Sequence, residues 1–496
     1  MSQASFGLRY ERRIFVNRAT LLDEIEAIGF DMDYTLCPYK PELEVLATEL
    51  AIGHLVRRGY PEALREVRFD PTFGIRGLVI DTARGNVVKM DAHRHVTRAW
   101  HGMRVLPDEE RRALYHADPP RLSAERWAMT DTLFSTPESY LFCVLVDMIE
   151  RDTGKPMDSP ETRRLYADIR YCIDLVHRDD SLKSAVRADL PRYIDLDPEL
   201  PFALHRLRSA GKRLFILTNS DMSYTEAVMS YLLDGKLPDY KNWQDYFHLV
   251  WVTARKPSFF ESLAEPFKIS EKVFDQGSRP WLEKALGASG DRILYVGDHI
   301  YGDVLKSKST TGWRTALIVP ELEAELASLA AETAAIAERS ELEDWRFDLE
   351  TALASAEMSL RAARRAERRG DDDAPEPAQK SGNGGNVYRD TLRALVIDLR
   401  AQLEHNASRV AALTAQIEQH HNPRWGQLLK ERHKHSLFGA QMASYACLYT
   451  SRVSNFATYS PHHAFEPPRD LLPHERVLRL SDTGSSERPA GASVES

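Results

Sequence analysis

The chain is poor in the features that mark secreted, membrane-spanning and nucleic-acid-binding proteins. Its 496 residues include only four cysteines, none in a CxxC pair, which argues against a disulfide framework or a cysteine zinc site. No apolar run approaches the roughly 18 residues of a spanning helix, and the N-terminal segment lacks the apolar core of a signal peptide. Basic residues number 65 and acidic residues 74, so the chain lacks the cation excess that phosphate backbones require. We therefore expect a cytoplasmic protein that binds neither nucleic acid nor membrane.

From about residue 199 onward, the chain alternates between short apolar runs and amphipathic segments. The runs have the length of strands, and leucines recur at helical spacing between them. An earlier run ends directly before Asp31 and is typical of a buried strand. The predicted strands cover residues 25–30, 213–218, 247–254, 291–298 and 315–320. This alternation predicts an α/β fold with a parallel sheet and helices on both faces.

The length is sufficient for roughly three domain-sized units. Residues 321–369 are rich in Ala, Glu and Arg, which favours helix, and the segment GDDDAPEPAQKSGNGGN that follows is typical of a polar linker. The predicted regions are a discontinuous core of residues 1–40 and 196–335, a cap insertion of 41–195, a C-terminal helical region of 336–466 with a linker at 370–386, and a disordered tail of 467–496.

A heptad pattern runs through residues 388–419, with Asn406 as a polar interruption. One heptad position holds Val396, Leu403, Val410 and Ile417, and the other holds Leu392, Leu399 and Leu413. Such a pattern can pair two chains as a coiled coil. It can also pack within one chain against residues 340–369 as a helical hairpin, which is the interpretation we favour.

Polar side chains follow the predicted strands at their carboxyl ends, where open α/β sheets bind ligands. They are Asp31 and Asp33; Thr218, Asn219, Ser220 and Asp221; Lys256; and Asp298 with Asp303. Four carboxylates at one edge repel one another unless a cation lies among them. Carboxylate oxygens suit Mg²⁺, which also binds substrate phosphates. A further DxD pair, Asp195 and Asp197, precedes a helix, and we interpret it as solvated surface.

Four sequence segments carry a resemblance to a known family. The segments GFDMDYTL, LTNSDMSYT, ARKPSFF and YVGDHIYGDVLKSK resemble the four motifs of the haloacid dehalogenase superfamily of phosphatases. Together with DTLFSTPESYL and SLFGAQMASYACLY, they are similar to the cytosolic purine 5′-nucleotidase family over about residues 5–475. The resemblance implies a Rossmann-like haloacid dehalogenase core with a largely helical cap insertion and a C-terminal helical extension.

The resemblance implies a role for each acid at the predicted sheet edge. Asp31 would attack phosphorus and form an aspartyl-phosphate. Asp33 would protonate the leaving oxygen and then take a proton from water. Mg²⁺ would be held by Asp31, by Asp298 and by the main-chain carbonyl of Asp33. Asp303 would orient Lys256 or the waters of the metal.

The resemblance also implies the groups that bind the phosphoryl oxygens. Thr218 and Asn219 would donate hydrogen bonds, with Ser220 and Asp221 beside them. Lys256 would stabilise the Asp31 nucleophile and the charge of the transition state. Considered singly, a lysine in a loop is usually exposed and an acid such as Asp298 can be a helix cap. Their occurrence together favours the catalytic interpretation.

Residues that would bind a nucleobase fall in the insertion. Arg170, Asp174 and His177 have helical spacing and share one face. Without the resemblance, the residues favour a simple i,i+4 ion pair between Arg170 and Asp174 over a base-binding role. By resemblance they contact a 6-oxopurine, Phe134 stacks on the base, and Lys183 is another contact. Arg178 stands where the family typically has Tyr, which bears on base preference.

The resemblance extends to regulation and assembly. Animal members respond to adenine nucleotides at a second site, of which this chain retains Arg121, Gln441 and Tyr445, with Tyr301 in place of Phe. Family cations are replaced by Ser309 and Ser444, and an Asn by Asp131. We therefore expect ATP to activate weakly, because a triphosphate needs cationic donors. The family commonly forms tetramers built from dimers, so we expect a homo-oligomer, a dimer or a tetramer.

The expected function is a Mg²⁺-dependent 5′-nucleotidase that hydrolyses purine nucleoside monophosphates of the inosine and guanosine type. Transfer of the phosphoryl group to a nucleoside is an expected side activity, since a hydroxyl can replace water. Two alternatives stay open at this point. One is a phosphatase of the same fold for another small phosphate ester, and the other is a non-catalytic scaffold.

Overall fold

The computed structural model describes residues 10–117, 120–122, 124–300, 303, 311–369 and 384–468. Most of the predicted linker at 370–386 and of the predicted tail at 467–496 lies outside these ranges. Within them, no helix is long and apolar enough to cross a membrane.

The strands in chain order are β1 (Phe15–Val16), β2 (Thr20–Leu21), β3 (Ala27–Phe30), β4 (Leu78–Asp81), β5 (Asn86–Met90), β6 (Val96–His101), β7 (Arg104–Val105), β8 (Trp127–Thr130), β9 (Arg213–Leu217), β10 (Leu249–Val252), β11 (Phe267–Lys268), β12 (Val273–Asp275), β13 (Ile293–Gly297), β14 (Arg314–Ile318), β15 (Lys430–Glu431), β16 (Lys434–His435), β17 (Leu448–Thr450) and β18 (Ala464–Phe465).

The α-helices in chain order are α1 (Pro41–Arg57), α2 (Asp108–Tyr115), α3 (Thr136–Thr153), α4 (Ser159–Arg178), α5 (Ser181–Ala188), α6 (Leu190–Tyr193), α7 (Leu200–Ser209), α8 (Met222–Leu233), α9 (Arg279–Leu286), α10 (Leu322–Ala331), α11 (Thr333–Arg369), α12 (Gly384–Glu418) and α13 (Leu437–Tyr445).

The chain divides into two compact units. The parallel-sheet unit contains Arg12–Pro38, Leu196–Val319 and the chain from Met442 onward, and the insertion unit contains Tyr39–Asp195 and Pro320–Gln441. The segment 336–466, predicted as a separate helical region, is therefore divided between the two units. Its last part supplies β17 to the large sheet.

A nine-stranded sheet forms the centre of the parallel-sheet unit, in the order β1-β17-β14-β13-β3-β9-β10-β12-β11. The interior strands are parallel, and only the edge strands β1 and β11 are antiparallel to their neighbours. β3 and β13 are buried along their whole length, as expected for parallel strands covered on both faces. The α/β fold predicted from the sequence is confirmed.

Gly29 in β3 lets a large aromatic side chain fill this core. A Cβ atom at Gly29 would lie 2.2 Å from the ring of Phe215 on the neighbouring strand β9. Phe215 in turn packs against Trp313, with 6.3 Å between ring centroids. The short segment AIGF therefore sets both the width of the core and the position of Asp31, which follows it.

The insertion unit contains a five-stranded antiparallel sheet, in the order β7-β6-β5-β4-β8. The resemblance implied a largely helical insertion, and the sequence analysis assigned no strand within it. β4 and β5 are buried at every position, so the alternation of polar and apolar residues that marks an antiparallel strand is missing. Three polar residues inside these strands are also buried: Asp81, Asn86 and Lys89. They interrupt the apolar runs by which a buried strand is recognised in a sequence.

Helices α11 and α12 pack together as a hairpin, which confirms the favoured interpretation of the heptads. Leu349, Ala356 and Leu360 of α11 form one apolar cluster with Leu392, Val396 and Leu399 of α12. Asn406 is fully buried, and its Nδ2 donates to the carbonyl of Leu342 at 2.9 Å. A buried amide of this kind fixes the register of two paired helices.

Two local predictions are corrected by the structure. α12 begins at Gly384, so the last residues of the predicted linker are helical. Asp197 is buried and not solvated, because its carboxylate accepts hydrogen bonds from the Glu199 amide at 3.0 Å and the Ser454 hydroxyl at 2.6 Å.

A buried lysine joins the antiparallel sheet to a later segment of the insertion unit. Nζ of Lys89 lies 2.8 Å from the carbonyl of Trp425, 2.6 Å from that of Gln427 and 2.9 Å from that of Lys430. It also lies 2.8 Å from the carboxylate of Glu431, which is buried as well. Burial lowers the pKa of Lys89, whereas Glu431 raises it. The segment 425–431 is thus held by one enclosed ammonium.

We expect Lys89→Met to destabilise the insertion unit by about 3 kcal/mol, because the buried Glu431 carboxylate loses the ammonium at 2.8 Å and keeps only the longer contact with Arg98 at 3.5 Å. Thermal unfolding of the full chain should show a midpoint lowered by about 5 °C or more. Lys155→Met, at an exposed lysine of the same unit, is the matched control. Equal midpoints for the two variants would contradict the role given to Lys89.

Candidate active site

Asp31 and Asp33 lie on a tight turn that begins where β3 ends. The Asp31 amide continues the ladder by donating to the carbonyl of Val296 at 2.9 Å. The chain then turns back, with Tyr34 in the left-handed region at φ 54° and its amide donating to the carbonyl of Cys37 at 2.9 Å. The carboxylate of Asp33 accepts a hydrogen bond from the Ser220 hydroxyl at 2.9 Å. The turn after β3 is thereby joined to the turn after β9.

The turn after β9 holds Thr218, Asn219, Ser220 and Asp221. Thr218 is fully buried, and its hydroxyl accepts from the Ser220 amide at 3.0 Å. Asp221 caps α8 by accepting from the Tyr224 amide at 3.0 Å. This cap is a structural role, so the structure gives Asp221 a function in folding that the sequence analysis had not assigned.

Asn219 fixes the backbone of Lys256 from the neighbouring loop. Its Oδ1 accepts from the Lys256 amide at 2.6 Å, and its Nδ2 donates to the Lys256 carbonyl at 3.1 Å. A side-chain amide with both groups used in this way holds a peptide unit in one orientation. The predicted phosphate ligand Asn219 therefore also positions the predicted catalytic lysine.

The Lys256 ammonium has three oxygen partners and is almost fully buried, with 4% of the side chain exposed. Nζ lies 3.0 Å from Oδ2 of Asp31, 2.7 Å from Oδ1 of Asp303 and 2.9 Å from the hydroxyl of Tyr295. Because an ammonium has three hydrogens, these three oxygens saturate it. Burial disfavours the charged form, but Asp303 and Asp31 raise the pKa of Lys256 well above its usual range.

The sequence analysis did not identify Tyr295 as a site residue. Its hydroxyl donates to the carbonyl of Leu217 at 3.0 Å, so the hydroxyl oxygen is left to accept from Lys256. Burial raises the pKa of Tyr295 well above its usual range, although Lys256 lowers it. The available signal was a hydroxyl in an otherwise apolar strand, two residues before the Gly-Asp that ends it.

Asp31, Asp298 and Asp303 form a cluster whose carboxylate oxygens lie within 4.8 Å of one another. Burial raises the pKa of Asp31 from 3.8 to about 7; Asp303 and Asp33 raise it too, whereas Lys256 lowers it. Three carboxylates and one ammonium leave two negative charges in excess when ionised, which is the charge that one divalent cation offsets. The oxygen donors therefore fit Mg²⁺.

The predicted metal ligands are the carboxylates of Asp31 and Asp298 and the main-chain carbonyl of Asp33. Asp303 is committed to Lys256, and the side chain of Asp33 to Ser220, so Asp31 and Asp298 are the carboxylates best suited to a cation. Gly297 makes room for this arrangement, because a Cβ there would lie 2.5 Å from Oδ2 of Asp303. The His299 amide also donates to Asp303 at 3.2 Å.

The insertion unit holds the predicted base-binding residues. The rings of Phe134 and His177 meet edge to face, with 5.0 Å between centroids. Nη1 of Arg170 lies 3.1 Å from Oε1 of Glu138, a carboxylate with 3% exposure, and the Tyr166 hydroxyl donates to the same carboxylate at 3.0 Å. The sequence analysis missed Glu138, because its partner lies on another helix, 32 residues away.

The structure also places Asp174, Arg178 and Lys183 of the predicted base-binding segment. Nε of Arg170 lies 3.6 Å from Asp174, so the i,i+4 ion pair is present. Arg178 donates to the carbonyl of Asp174 at 3.1 Å. Lys183 lies on α5 and is partly exposed.

The residues predicted to bear on ATP regulation are divided between the units or are not described. Tyr301 and Ser309 lie outside the described residues. Arg121, Asp131 and Gln441 belong to the insertion unit, and Ser444 and Tyr445 to the parallel-sheet unit. Weak activation by ATP stays a prediction.

Three comparisons relate this chain to known proteins. The model of the 5′ nucleotidase family matches residues 14–477. A 5′-nucleotidase domain-containing protein of Dictyostelium discoideum is 28% identical over 491 residues, which cover 94% of this chain and 75% of the relative. Among solved structures, a predicted phosphoglycolate phosphatase from Haemophilus somnus is 14% identical with a TM-score of 0.27, over 60% of this chain and 86% of that one. The family match spans almost the whole sequence, and the chain therefore belongs to the 5′-nucleotidase family of hydrolases.

Proposed function

We propose that this enzyme hydrolyses purine nucleoside 5′-monophosphates through an aspartyl-phosphate on Asp31, with Mg²⁺ as its metal. The observation that carries the proposal is the position of the Lys256 ammonium, 3.0 Å from Asp31 and 2.7 Å from Asp303. A buried cation against the nucleophile carboxylate reduces charge repulsion when a phosphate dianion approaches.

In the first step, an Oδ atom of Asp31 forms a bond to phosphorus as the bond from phosphorus to the 5′ oxygen breaks. The leaving oxygen takes a proton from Asp33. In the second step, water attacks phosphorus, gives its proton to Asp33 and releases phosphate from Asp31. A nucleoside hydroxyl in place of water would give phosphoryl transfer. The Ser220 hydroxyl on Asp33 supports its orientation for both proton transfers.

Asp31 and Asp298 would hold Mg²⁺, which when bound offsets the negative charge of the transferring phosphoryl group. Lys256 supplies a fixed positive charge beside it, since Asp303, Tyr295 and Asn219 hold the side chain and the backbone in place. Thr218 and Asn219 provide a hydroxyl and an amide at the same edge of the sheet. These groups need little rearrangement during reaction, which favours rate.

Base selectivity is supported by the insertion unit. Phe134 offers an apolar ring for stacking, and the ion pair with buried Glu138 holds Arg170 in one conformation. A guanidinium fixed in this way can donate to the carbonyl oxygen of a 6-oxopurine without a large loss of side-chain entropy. The fixed guanidinium and the Phe134 ring favour a purine nucleotide over a small phosphate ester without a base.

The direct test is phosphate release from inosine monophosphate, measured with Mg²⁺ and after its removal by a chelator. We expect activity that requires the metal and that exceeds activity on a sugar phosphate. No release at any Mg²⁺ concentration would contradict the proposal and favour a scaffold, and preference for the sugar phosphate would favour another phosphatase.

Asp31→Asn should abolish turnover, because an amide neither attacks phosphorus nor binds Mg²⁺ well. Asp33→Asn should retain substrate binding and slow turnover by roughly 10²-fold or more, the usual contribution of a positioned acid. Steady-state kinetics with inosine monophosphate distinguish the two variants. Asp291→Asn, at an exposed position of the same unit, should behave as wild type. More than a few per cent residual activity in Asp31→Asn would exclude Asp31 as nucleophile.

Tyr295→Phe should lower kcat about tenfold and leave KM nearly unchanged, because Lys256 loses one of three acceptors that aim it. The matched control is Tyr246→Phe in the same unit, since the buried Tyr246 hydroxyl has no hydrogen-bond partner within the described part of the chain. Kinetics of both variants at saturating Mg²⁺ provide the check. Equal kcat values for the two variants would show that Tyr295 acts only in packing.

Arg170→Ala should raise KM for inosine monophosphate about tenfold, with little effect on p-nitrophenyl phosphate, which has no base edge to bind. Glu138→Gln should also raise KM for inosine monophosphate, by a smaller factor.

Burial raises the pKa of Glu138 to about 7, although Arg170 lowers it. Protonation below that pH removes the charge that holds Arg170, so the wild-type KM for inosine monophosphate should rise between pH 8 and pH 6 more than that of Glu138→Gln. Equal changes for both substrates would make these residues structural.

A further inference from the structure

A basic groove lies in the insertion unit, apart from the residues assigned above. Three short segments, 91–97, 111–116 and 431–434, form its walls, and its volume is about 600 Å³. The cations that line it are Arg111, Arg112, Arg432 and Lys434, with the histidines His95, His116 and His433. Such a concentration of cations stands out in a chain whose net charge is −9.

The two acids in the lining are occupied by other groups of the protein. Glu431 is buried and lies 2.8 Å from Nζ of Lys89 and 3.5 Å from Nε of Arg98. Asp91 is buried and accepts from the amides of His93 at 2.9 Å and His95 at 3.0 Å. Their negative charge is therefore compensated from within the fold and opposes an incoming anion only weakly.

Arg432 is the most available cation of the groove. It lies at the turn between β15 and β16 and is exposed, and its charge contributes, after Arg111 and Arg112, to the lowered pKa of Asp108. Its φ of 55° is a left-handed conformation that glycine or asparagine adopts more readily than arginine. Arg432, His433 and Lys434 follow one another and all three line the groove.

The other cations are held at defined places. Nη2 of Arg111 lies 2.9 Å from Asp108 at the start of α2, and a second Arg111 nitrogen donates to the carbonyl of Val96. Lys434 lies 3.5 Å from Asp91. A multivalent anion can bridge side chains on several segments, whereas a monovalent one contacts them singly.

We propose that this groove binds a small anion carrying several phosphate groups, recognised by its phosphates and not by a nucleobase. The volume lies in the range of small-molecule sites. Tyr115 is buried, with its hydroxyl donating to Asp81 at 3.0 Å. The exposed rings of the lining are the imidazoles of His95, His116 and His433. These lining residues therefore offer several cations for phosphate oxygens and no exposed phenyl, phenol or indole face for a base.

The test is calorimetric titration of the metal-free full chain with inorganic tripolyphosphate. We expect the wild-type chain to bind tripolyphosphate. The double variant Arg432→Gln/Lys434→Gln should bind it with an affinity lower by a factor of about ten or more, because two charge-assisted contacts are lost. The control is Arg393→Gln/Arg400→Gln, which removes two exposed positive charges from α12. Affinity that falls equally in both double variants would show general attraction only and overturn the proposal.

Three further arms identify the ligand class and the site. Saturating inosine monophosphate, without metal, should leave the tripolyphosphate affinity unchanged; loss of binding would assign it to the catalytic site. Citrate and orthophosphate should bind at least tenfold more weakly, and equal affinity for citrate would overturn recognition of phosphate. ATP should bind no more tightly than tripolyphosphate, so a clear preference for ATP that the groove variants do not change would also contradict the proposal. These arms measure binding, so their outcome is independent of the nucleotidase assay.

Discussion

The ammonium of Lys256 is placed by contacts that come from several strand ends at once. Asp31 follows β3, Tyr295 lies in β13, and Asn219, which fixes the Lys256 backbone, follows β9. These strands are adjacent and parallel, and a shift of one residue in any of them would turn its side chains to the opposite face. The burial of AIGF in β3 and the absence of a side chain at Gly29 therefore matter for chemistry as well as for packing. The register of the sheet therefore also fixes the position of the Lys256 ammonium.

Buried charge is used differently in the two units. In the parallel-sheet unit, carboxylates exceed cations around Lys256, which favours the binding of an additional cation. In the insertion unit, two buried charges have a close partner of opposite sign: Glu138 has Arg170, and Lys89 has Glu431. Such pairs contribute little net stability, but the loss of one partner is costly. They suit positions where a side chain or a loop must keep one conformation.

The sequence predicts the parallel sheet and the acids at its edge because both signals are local. An apolar run followed directly by Asp31 or Asp298 indicates, within a few residues, both a buried strand and an acid at its end. It does not predict the sheet formed by β4 to β8, because β4 and β5 are buried at every position, which removes the alternation, and Asn86 and Lys89 interrupt the apolar residues of β5. Tyr295 and Glu138 were missed for a related reason, since each acquires its role from a partner distant in sequence, Lys256 and Arg170 respectively. Asp197 was misinterpreted because its hydrogen-bond donor Ser454 lies 257 residues away.

The central claim is that Asp31 carries the phosphoryl group during turnover. Its most direct test is mass spectrometry of the full chain, quenched in acid while it hydrolyses inosine monophosphate in the presence of Mg²⁺, followed by proteolysis. We predict a peptide that contains Asp31 and is heavier by one phosphoryl group, with the modification lost on treatment with hydroxylamine. Steady turnover with no phosphorylated peptide, or with the phosphoryl group on another residue, would contradict the account.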